Sequence, residues 1–249
     1  MSKKVLLAGE SWIAHTTHVK GMDSFHTSTY GESGKWLIEA LEADGFEVTY
    51  MPSHLALTKF PFTMEELQKF DAVILSDIGS NTLLLNDDVF IKCQTVPDRL
   101  ELIRDYVEQG GGFCMIGGYM SFTGIEGKAR YNQTPIKDIL PVEMLDFDDR
   151  CETCSGVIPV IEDSGSPVLR GVEEPWPSFL GYNKTIRRED ADVVATVNGD
   201  PLIALREYGK GRTAVFTSDC APHWGTMEFV NWKHYQTFWA NLVRYICNK

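Results

Sequence analysis

The sequence predicts an α/β protein with a parallel, doubly wound sheet. Over residues 1 to 125, short apolar runs alternate with amphipathic helices in the order βαβαβαβ. This alternation is typical of parallel strands joined by right-handed crossovers. Three later β-rich runs are separated by Asn198-Gly199 and Gly209-Lys210-Gly211, which are strong turn signals and indicate an added β-meander.

The elements of the first half follow from periodicity and from signals at helix ends. Predicted strands cover apolar or alternating runs, whereas predicted helices place their apolar residues on one face. Thr63 is a suitable N-cap with Glu66 at the capping-box position, and Gly45 and Gly110 are suitable helix terminators. The predicted strands are 4–9, 46–51, 71–76 and 113–116, and the predicted helices are 34–44, 64–70 and 97–109.

The second half is less regular. Residues 139–145 and 156–161 are strand-like but contain prolines, which restrict such segments to sheet edges and strand ends. We therefore predict one domain over residues 1–249, with an irregular elaboration at about 126–185. The predicted meander strands are 192–197, 201–208 and 212–217, and a final helix covers 231–247, where an aromatic stripe indicates core packing.

Composition argues against several classes of protein. The net charge is −12 and no cluster of lysine and arginine is present, so no nucleic-acid partner is expected. The apolar run at the start is too short for a signal peptide, and no window is long and apolar enough to span a membrane. We therefore expect a cytoplasmic protein with reduced thiols and no membrane partner. Cys151 and Cys154 form a C-x-x-C pair without further ligands nearby, which argues against a metal or redox site.

The glycines after the predicted strand 113–116 are the first candidate for the edge of a site. Gly117 and Gly118 permit a sharp turn and close approach of another group, and ligands bind in open α/β sheets at the carboxyl ends of strands. We therefore predict that Gly117, Gly118 and Tyr119 contact a ligand. The alternative is a packing turn that only needs small residues.

The first strand is followed by about two dozen residues before the first helix, a length often associated with function. Glu10 is a candidate catalytic residue here, and Ser11, Trp12 and His18 are candidate ligand contacts. His15, His18 and Asp23 could ligate zinc or iron, but their spacing matches no stringent signature. A polar surface loop is the favoured interpretation, and no metal or cofactor is predicted.

Two other strand ends carry groups suited to chemistry. Asp77 follows the third strand and could bind a substrate hydroxyl or orient a histidine, or it could cap the next turn. Asp219 and His223 follow the last strand of the meander. His223 is a candidate base with Asp219 beside it, and Trp224 could shield the site from water. The alternative for His223 is a hydrogen-bonded structural histidine.

These motifs together resemble the class I glutamine amidotransferase-like superfamily. The similarity is greatest to its branch of cytoplasmic glutamine amidotransferase-like proteins, and trehalose-utilisation-type proteins look like relatives. The resemblance implies a flavodoxin-like α/β sandwich with helices on both faces of the sheet. The matching stretches are Gly9-Glu10-Ser11-Trp12, His18-Val19-Lys20-Gly21-Met22-Asp23, Gly111 to Gly118, and Ser218 to Trp224.

The residues depart from the family's catalytic pattern. Amidotransferases need a cysteine on the elbow after the strand, a histidine base and an orienting carboxylate, but here Gly117 takes the nucleophile position. Cys114 lies within the strand, and the acid nearest after His223 is Glu228. We therefore expect a hydrolase or lyase, not a glutaminase, acting on a small polar ligand such as a carbohydrate. The alternative is a non-catalytic ligand-binding or oligomer-forming module, and a homo-oligomer is possible in either case.

Overall fold

The computed structural model describes residues 2–247, and an eight-stranded sheet forms its centre. Three separate two-stranded sheets accompany the central sheet. The strands are β1 Lys4–Gly9, β2 Ser11–Lys20, β3 Asp23–Glu32, β4 Glu47–Met51, β5 Ala72–Ser76, β6 Gly112–Ile116, β7 Val142–Met144, β8 Arg150–Val157, β9 Val160–Ile161, β10 Phe179–Asn183, β11 Thr185–Arg187, β12 Asp192–Val197, β13 Asp200–Tyr208 and β14 Gly211–Phe216.

The helices are mostly short, and three longer ones flank the sheet. The α-helices are α1 Lys35–Ala43, α2 Ser53–Lys59, α3 Met64–Leu67, α4 Ser80–Leu84, α5 Asp87–Phe90, α6 Arg99–Glu108, α7 Ile136–Ile139, α8 Met227–Val230 and α9 Tyr235–Cys247. Single 3-10 turns cover Ile125–Gly127, Tyr131–Gln133 and Pro167–Leu169. Within residues 2–247, none of the helices has the length and apolar character needed to cross a membrane.

The order of the strands explains how distant segments meet. The central sheet runs β4-β1-β5-β6-β14-β13-β12-β9, and its first five strands are parallel. The remaining three pair antiparallel, which gives the predicted meander at one side. The α/β doubly wound class and the added meander are therefore confirmed. Because β14 pairs with β6, the segment after residue 216 lies beside the glycines after residue 116.

Helices cover both faces of the sheet, so the central strands are buried on both sides. Along β1, Val5 and Leu7 belong to one core and Leu6 and Ala8 to the other, as expected from the alternation of side chains in a strand. Helices α1 and α9 pack on the first face, and α6 and α7 pack on the second. The predicted sandwich with helices on both faces is confirmed.

The predicted loop before the first helix is instead a β-hairpin. Strands β2 and β3 pair antiparallel over their full length, from Ser11 opposite Glu32 to Lys20 opposite Asp23. Gly21, with φ of +66°, and Met22 form the two-residue turn. The signal was present in the sequence, since two β-rich runs rich in threonine flank a two-residue turn that contains glycine. The prediction of an irregular loop was wrong.

Prolines also divide two other predicted elements. The predicted strand 139–145 begins with the end of α7 and only becomes β7 after Pro141. The predicted strand 156–161 is interrupted at Pro159 between β8 and β9. The predicted last helix begins four residues later than expected, because the shorter helix α8 and an irregular segment precede α9.

Candidate functional site

Four neighbouring parallel strands carry the predicted site residues at their carboxyl ends. Glu10 follows β1, Asp77 follows β5, Gly117 follows β6, and Asp219 lies just beyond β14. These four strands lie side by side in the sheet. Because parallel strands end at the same edge, residues from the two ends of the chain come into contact there. We call Glu10, Asp77 and Asp219 the carboxylate cluster.

Glu10 is the most deeply placed member of the carboxylate cluster. It is buried, and its backbone is left-handed with φ of +49°. Ser33 Oγ donates a hydrogen bond of 2.5 Å to Oε2, and Ser76 Oγ donates to Oε1. Burial raises the pKa of Glu10 to about 8, and repulsion from Asp219 and Asp77 adds to this. The carboxyl of Glu10 is therefore mostly protonated at neutral pH.

Asp77 is half-buried and also has a left-handed backbone, with φ of +44°. Its Oδ1 accepts a hydrogen bond of 2.6 Å from the backbone N–H of Met120. Its carboxyl lies so close to Gly118 that a Cβ there would be 2.8 Å from Oδ1. Burial, followed by repulsion from Asp219, raises the pKa of Asp77 to about 6. Asp77 therefore caps the turn after β6, and its contact with a ligand stays a prediction.

Asp219 and His223 form an oriented pair at the surface end of the cluster. Asp219 is buried, and its Oδ2 lies 3.4 Å from Nδ1 of His223. Its Oδ1 accepts a hydrogen bond of 3.0 Å from the N–H of Ala221, which fixes the turn. The hydrogen bond to Asp219 raises the pKa of His223. The side chain of His223 is 44% exposed, so the imidazole is accessible to a ligand.

Two aromatic rings enclose His223. The Tyr119 ring meets it edge-on, with centroids 4.6 Å apart, and the buried Trp224 ring stacks on it at 5.6 Å. Glu152 Oε1 accepts hydrogen bonds from the Tyr119 hydroxyl at 2.7 Å and from Trp224 Nε1 at 3.2 Å. The Arg150 guanidinium lies 4.9 Å from the Tyr119 ring centroid. These contacts fix the orientation of both rings around the imidazole.

Asn183 anchors the turn after β6 through hydrogen bonds to the backbone. It is fully buried and exchanges two hydrogen bonds with the backbone of Gly118, at 3.0 and 3.2 Å. Its amide also donates to Asp149 at 2.8 Å, and its own N–H donates to the carbonyl of Thr217 at 2.8 Å. Through its side chain and its backbone N–H, Asn183 therefore ties together the loops after β6 and β14, which carry Gly118 and Asp219.

The position that the amidotransferase elbow would give to cysteine has no room for a side chain. A Cβ on Gly117 would lie 2.2 Å from the carbonyl oxygen of Thr217, which is far closer than any real contact. Cys114 is buried in β6, and burial raises its pKa well above the usual thiol range. Cys220 is also buried, and its pKa is raised by burial and by the neighbouring Glu10 carboxyl.

Ser11 and Trp12 do not join the cluster, although they follow Glu10 directly. Ser11 Oγ accepts a hydrogen bond of 2.7 Å from the N–H of Ser53, which anchors the base of the hairpin to α2. Trp12 is about half exposed and lays its ring against Gly31 of β3. Both residues therefore have structural contacts in the hairpin, and no contact with the cluster supports their predicted binding role.

His18 lies far from the cluster on the same hairpin. It is eight residues beyond Glu10 along a strand, which is about 25 Å, and it stacks on Phe25 at 4.5 Å. His15 and His18 are three positions apart on one strand, so their side chains point to opposite faces. The hypothesis of a metal site formed by His15, His18 and Asp23 is therefore wrong in its geometry.

One group of possible metal ligands lies within the cluster itself. Oxygen atoms of Glu10 and Asp219 and the Sγ of Cys220 lie within 4.8 Å of one another, and all three residues are buried. Binding of a cation would require Glu10 and Cys220 to lose their protons, yet burial raises the pKa of both. One surface cleft, of about 310 Å³, lies away from the cluster and is lined by Asn132, Lys137, Asp138, Glu143, Met144, Asp146 and Arg188.

Sequence reasoning missed several residues of the site. Ser33, Ser76, Glu152 and Asn183 all hydrogen-bond to predicted site residues or to their backbone. Ser76 is the last residue of a buried strand and precedes Asp77, so its position at the sheet edge was a usable signal. Glu152 and Asn183 lie in the irregular second half, where nothing in the local sequence indicates which strand ends they approach.

The comparisons with known proteins agree with this architecture. Cytoplasmic protein STM3548 from Salmonella typhimurium is 47% identical, with 97% of this chain and 98% of that chain covered and a TM-score of 0.95. Cytoplasmic protein STM1381 from Salmonella typhimurium LT2 is also 47% identical, with 98% and 99% covered and a TM-score of 0.94. Both relatives are described as cytoplasmic, in agreement with the location predicted from the sequence.

A more distant structure shares the fold. A ThuA-like protein from Parabacteroides merdae is 13% identical, with 100% of this chain and 91% of that chain covered and a TM-score of 0.56. No curated protein matches the chain. The family model described as "Putative glutamine amidotransferase" matches residues 4–248. Because that match covers nearly the whole sequence, the chain belongs to the GATase1_like family of glutamine amidotransferase-like proteins.

Proposed function

We propose that the protein binds a small polar ligand at the carboxylate cluster and acts on it as a hydrolase or lyase, with His223 as the general base. The observation that carries this proposal is the pair formed by Asp219 and His223, with 3.4 Å between Oδ2 and Nδ1. Within residues 2–247, no hydrogen bond engages the other ring nitrogen of His223. That nitrogen is therefore available to accept a proton from a ligand.

The buried acids support His223 indirectly. Asp219 orients the ring and stabilises the imidazolium that forms when His223 accepts a proton, so Asp219 is a positioning residue. Glu10 lies behind it, and its raised pKa means that it carries a proton at neutral pH. A protonated Glu10 also lacks the negative charge that would repel the neighbouring Asp219 carboxyl, which lies within 4.8 Å. Asp77, Gly118 and Tyr119 border the same space and would contact the ligand.

Hydrolysis of glutamine is not proposed, because the residues do not supply its nucleophile. Gly117 cannot be replaced by cysteine without moving the backbone of Thr217, and Cys114 and Cys220 are buried with raised pKa values. A second candidate is a ligand-binding module without catalysis, because Gly117 leaves the turn after β6 without a nucleophilic side chain. A carbohydrate is one polar ligand that fits either candidate.

The test compares His223→Ala and His223→Asn with the wild-type protein on a panel of small polar substrates, including glycosides, esters, amides and sugar lactones. Loss of general base catalysis should lower turnover by about 100-fold or more, with the far-UV spectrum and the melting temperature retained. His54→Ala is the matched control, because His54 is an exposed histidine outside the cluster.

Unchanged turnover in both His223 variants would overturn the assignment of the base. A wild-type protein that binds a panel compound but converts none of them would support the module without catalysis. The same panel should include glutamine, for which no release of ammonia is expected from any variant.

A further inference from the structure

The hairpin of β2 and β3 is a ribbon that projects from the rest of the protein. Ser11 and Tyr30 contact α2 at its base, through Ser53 and His54. Beyond that base almost every residue is exposed, including Val19 at 71%. A two-stranded ribbon by itself is only marginally stable in water. A partner strand that covers the ribbon would therefore stabilise it.

The edges of this ribbon lack the residues that usually prevent strand pairing. Natural edge strands carry lysine, proline, inward charges or bulges that block association with another strand. Residues 12–19 of β2 and 24–31 of β3 contain no lysine, proline, aspartate or glutamate. The pairing of β2 with β3 is regular, without a bulge. Both outer edges are therefore open to a further strand.

We propose that two copies of this chain pair through the outer edges of β2, antiparallel and centred on Thr16, to form a four-stranded sheet across a two-fold axis. In this register Ile13 lies opposite the partner's Val19, and Trp12 lies opposite the partner's Lys20. Pairs of β-branched residues and pairs of a cation with an aromatic ring both stabilise neighbouring strands. The edge of β2 is thus complementary to itself.

Charge selects β2 over β3 for this contact. β3 carries an acidic residue at each end, Asp23 and Glu32, so antiparallel pairing of β3 with its own copy would bring these acids close together at both ends of the contact, and nearby like charges destabilise a sheet. Pairing of β2 creates no contact between like charges, since Lys20 is its only residue with a permanent charge. A closed two-fold contact of this kind also leaves no open β2 edge for further growth.

Cross-linking tests the register directly. Thr16→Cys places two thiols opposite each other at the two-fold axis, where Cβ atoms of paired residues are about 5 Å apart. Mild oxidation with diamide should therefore give a covalent dimer on non-reducing gels. Thr27→Cys is the matched control, because Thr27 lies directly opposite Thr16 within the hairpin. In the proposed dimer the two copies of residue 27 are about 14 Å apart, so no cross-link forms.

Analytical ultracentrifugation of the full chain tests the association without new thiols. The wild-type protein should sediment as a dimer, and Val19→Lys should raise its dissociation constant by about tenfold or more. Ile91→Lys is the matched control, because Ile91 is 70% exposed on the body of the protein and should leave the dimer unchanged.

Each contrary outcome overturns the proposal. A wild-type monomer at high concentration would show that a second copy does not cover the ribbon. A dimer that survives Val19→Lys unchanged, with no cross-link at residue 16, would place the contact between copies elsewhere. An equal yield of cross-linked dimer from Thr16→Cys and Thr27→Cys would exclude the β2 register.

Discussion

The protein buries ionisable groups in several places, and two of these places differ in how the buried groups are stabilised. In the first, the fully buried Arg99 of α6 has its guanidinium 4.6 Å from the ring centroid of Phe62. Backbone carbonyls satisfy its N–H groups; they belong to Ala56, Leu57, Thr82 and Leu83. Burial lowers the pKa of Arg99 to about 10, so it remains charged at neutral pH. Arg99 therefore ties α2 and α4 to α6.

The second of these places is the carboxylate cluster, which brings acids together without a comparable set of hydrogen-bond donors. The pKa values of Glu10 and Asp77 are raised by burial and by repulsion from Asp219. His223 is the nearest group that can become a cation, and it is partly exposed. The difference teaches that a buried cation with four hydrogen bonds keeps its charge at neutral pH, whereas neighbouring buried acids repel one another, have raised pKa values and are candidates for chemistry.

The largest expected effect is the loss of the Arg99 contacts. Arg99→Met should lower the free energy of unfolding by about 3 kcal/mol or more, because the carbonyls that it satisfies would remain buried without donors. Urea denaturation measures this change. Arg104→Met is the matched control on the same helix; its ion pair with Asp105 is near the surface, so we expect a change below about 0.5 kcal/mol. Equal losses in the two variants would remove the structural role assigned to Arg99.

The second expected effect is a gain in the free energy of unfolding, from the replacement of Glu10. Glu10 ionises near pH 8 in the folded protein but near pH 4.5 when unfolded, so the unfolded state binds fewer protons between these values. Stability linked to Glu10 is therefore fully present below pH 4.5 and is lost as the pH rises to 8. Glu10→Gln should remove this loss and stabilise the protein by about 1 to 3 kcal/mol at pH 8.

Urea denaturation of Glu10→Gln at pH 5 and pH 8 checks this prediction. The exposed Glu47→Gln serves as the control and should behave like the wild type at both values. A Glu10→Gln protein that is less stable than the wild type at pH 8 would show that the cluster depends on an ionised Glu10, and the contrast with Arg99 would no longer hold.

The smallest effect concerns His223, the ion-pair partner of Asp219. Asp219→Asn should lower the pKa of His223 toward the ordinary histidine value of about 6.5, because it removes the main cause of the raised value. The stability that this pair contributes is present below the unfolded pKa and is lost as the pH rises through the folded pKa. Titration of the His223 ring signal by NMR measures the change, with Asp190→Asn as the control. If the pKa of His223 is unchanged in Asp219→Asn, the carboxyl of Asp219 is not the cause of the raised pKa.

The sequence predicted those parts of the site that local patterns define. Asp77 and Asp219 were identified because each follows a buried strand, and strand ends meet at one edge of a parallel sheet. The hairpin was missed because the length of the segment suggested a loop, although its turn and its β-rich runs are recognisable in the sequence. Glu152 and Asn183 could not be predicted, because their contacts with Tyr119 and Gly118 join segments that share no local pattern.

The sequence by itself determined the α/β class, the parallel sheet of the first half and the meander, because each depends on the periodicity of side chains over a few residues. Only the tertiary structure decided the chemistry of the cluster. The pKa of Glu10 depends on burial and on Asp219, which reaches it through the pairing of β14 with β6. Electrostatic interactions depend on distance in space and on exclusion of water, and neither quantity is encoded in the spacing of residues along the chain.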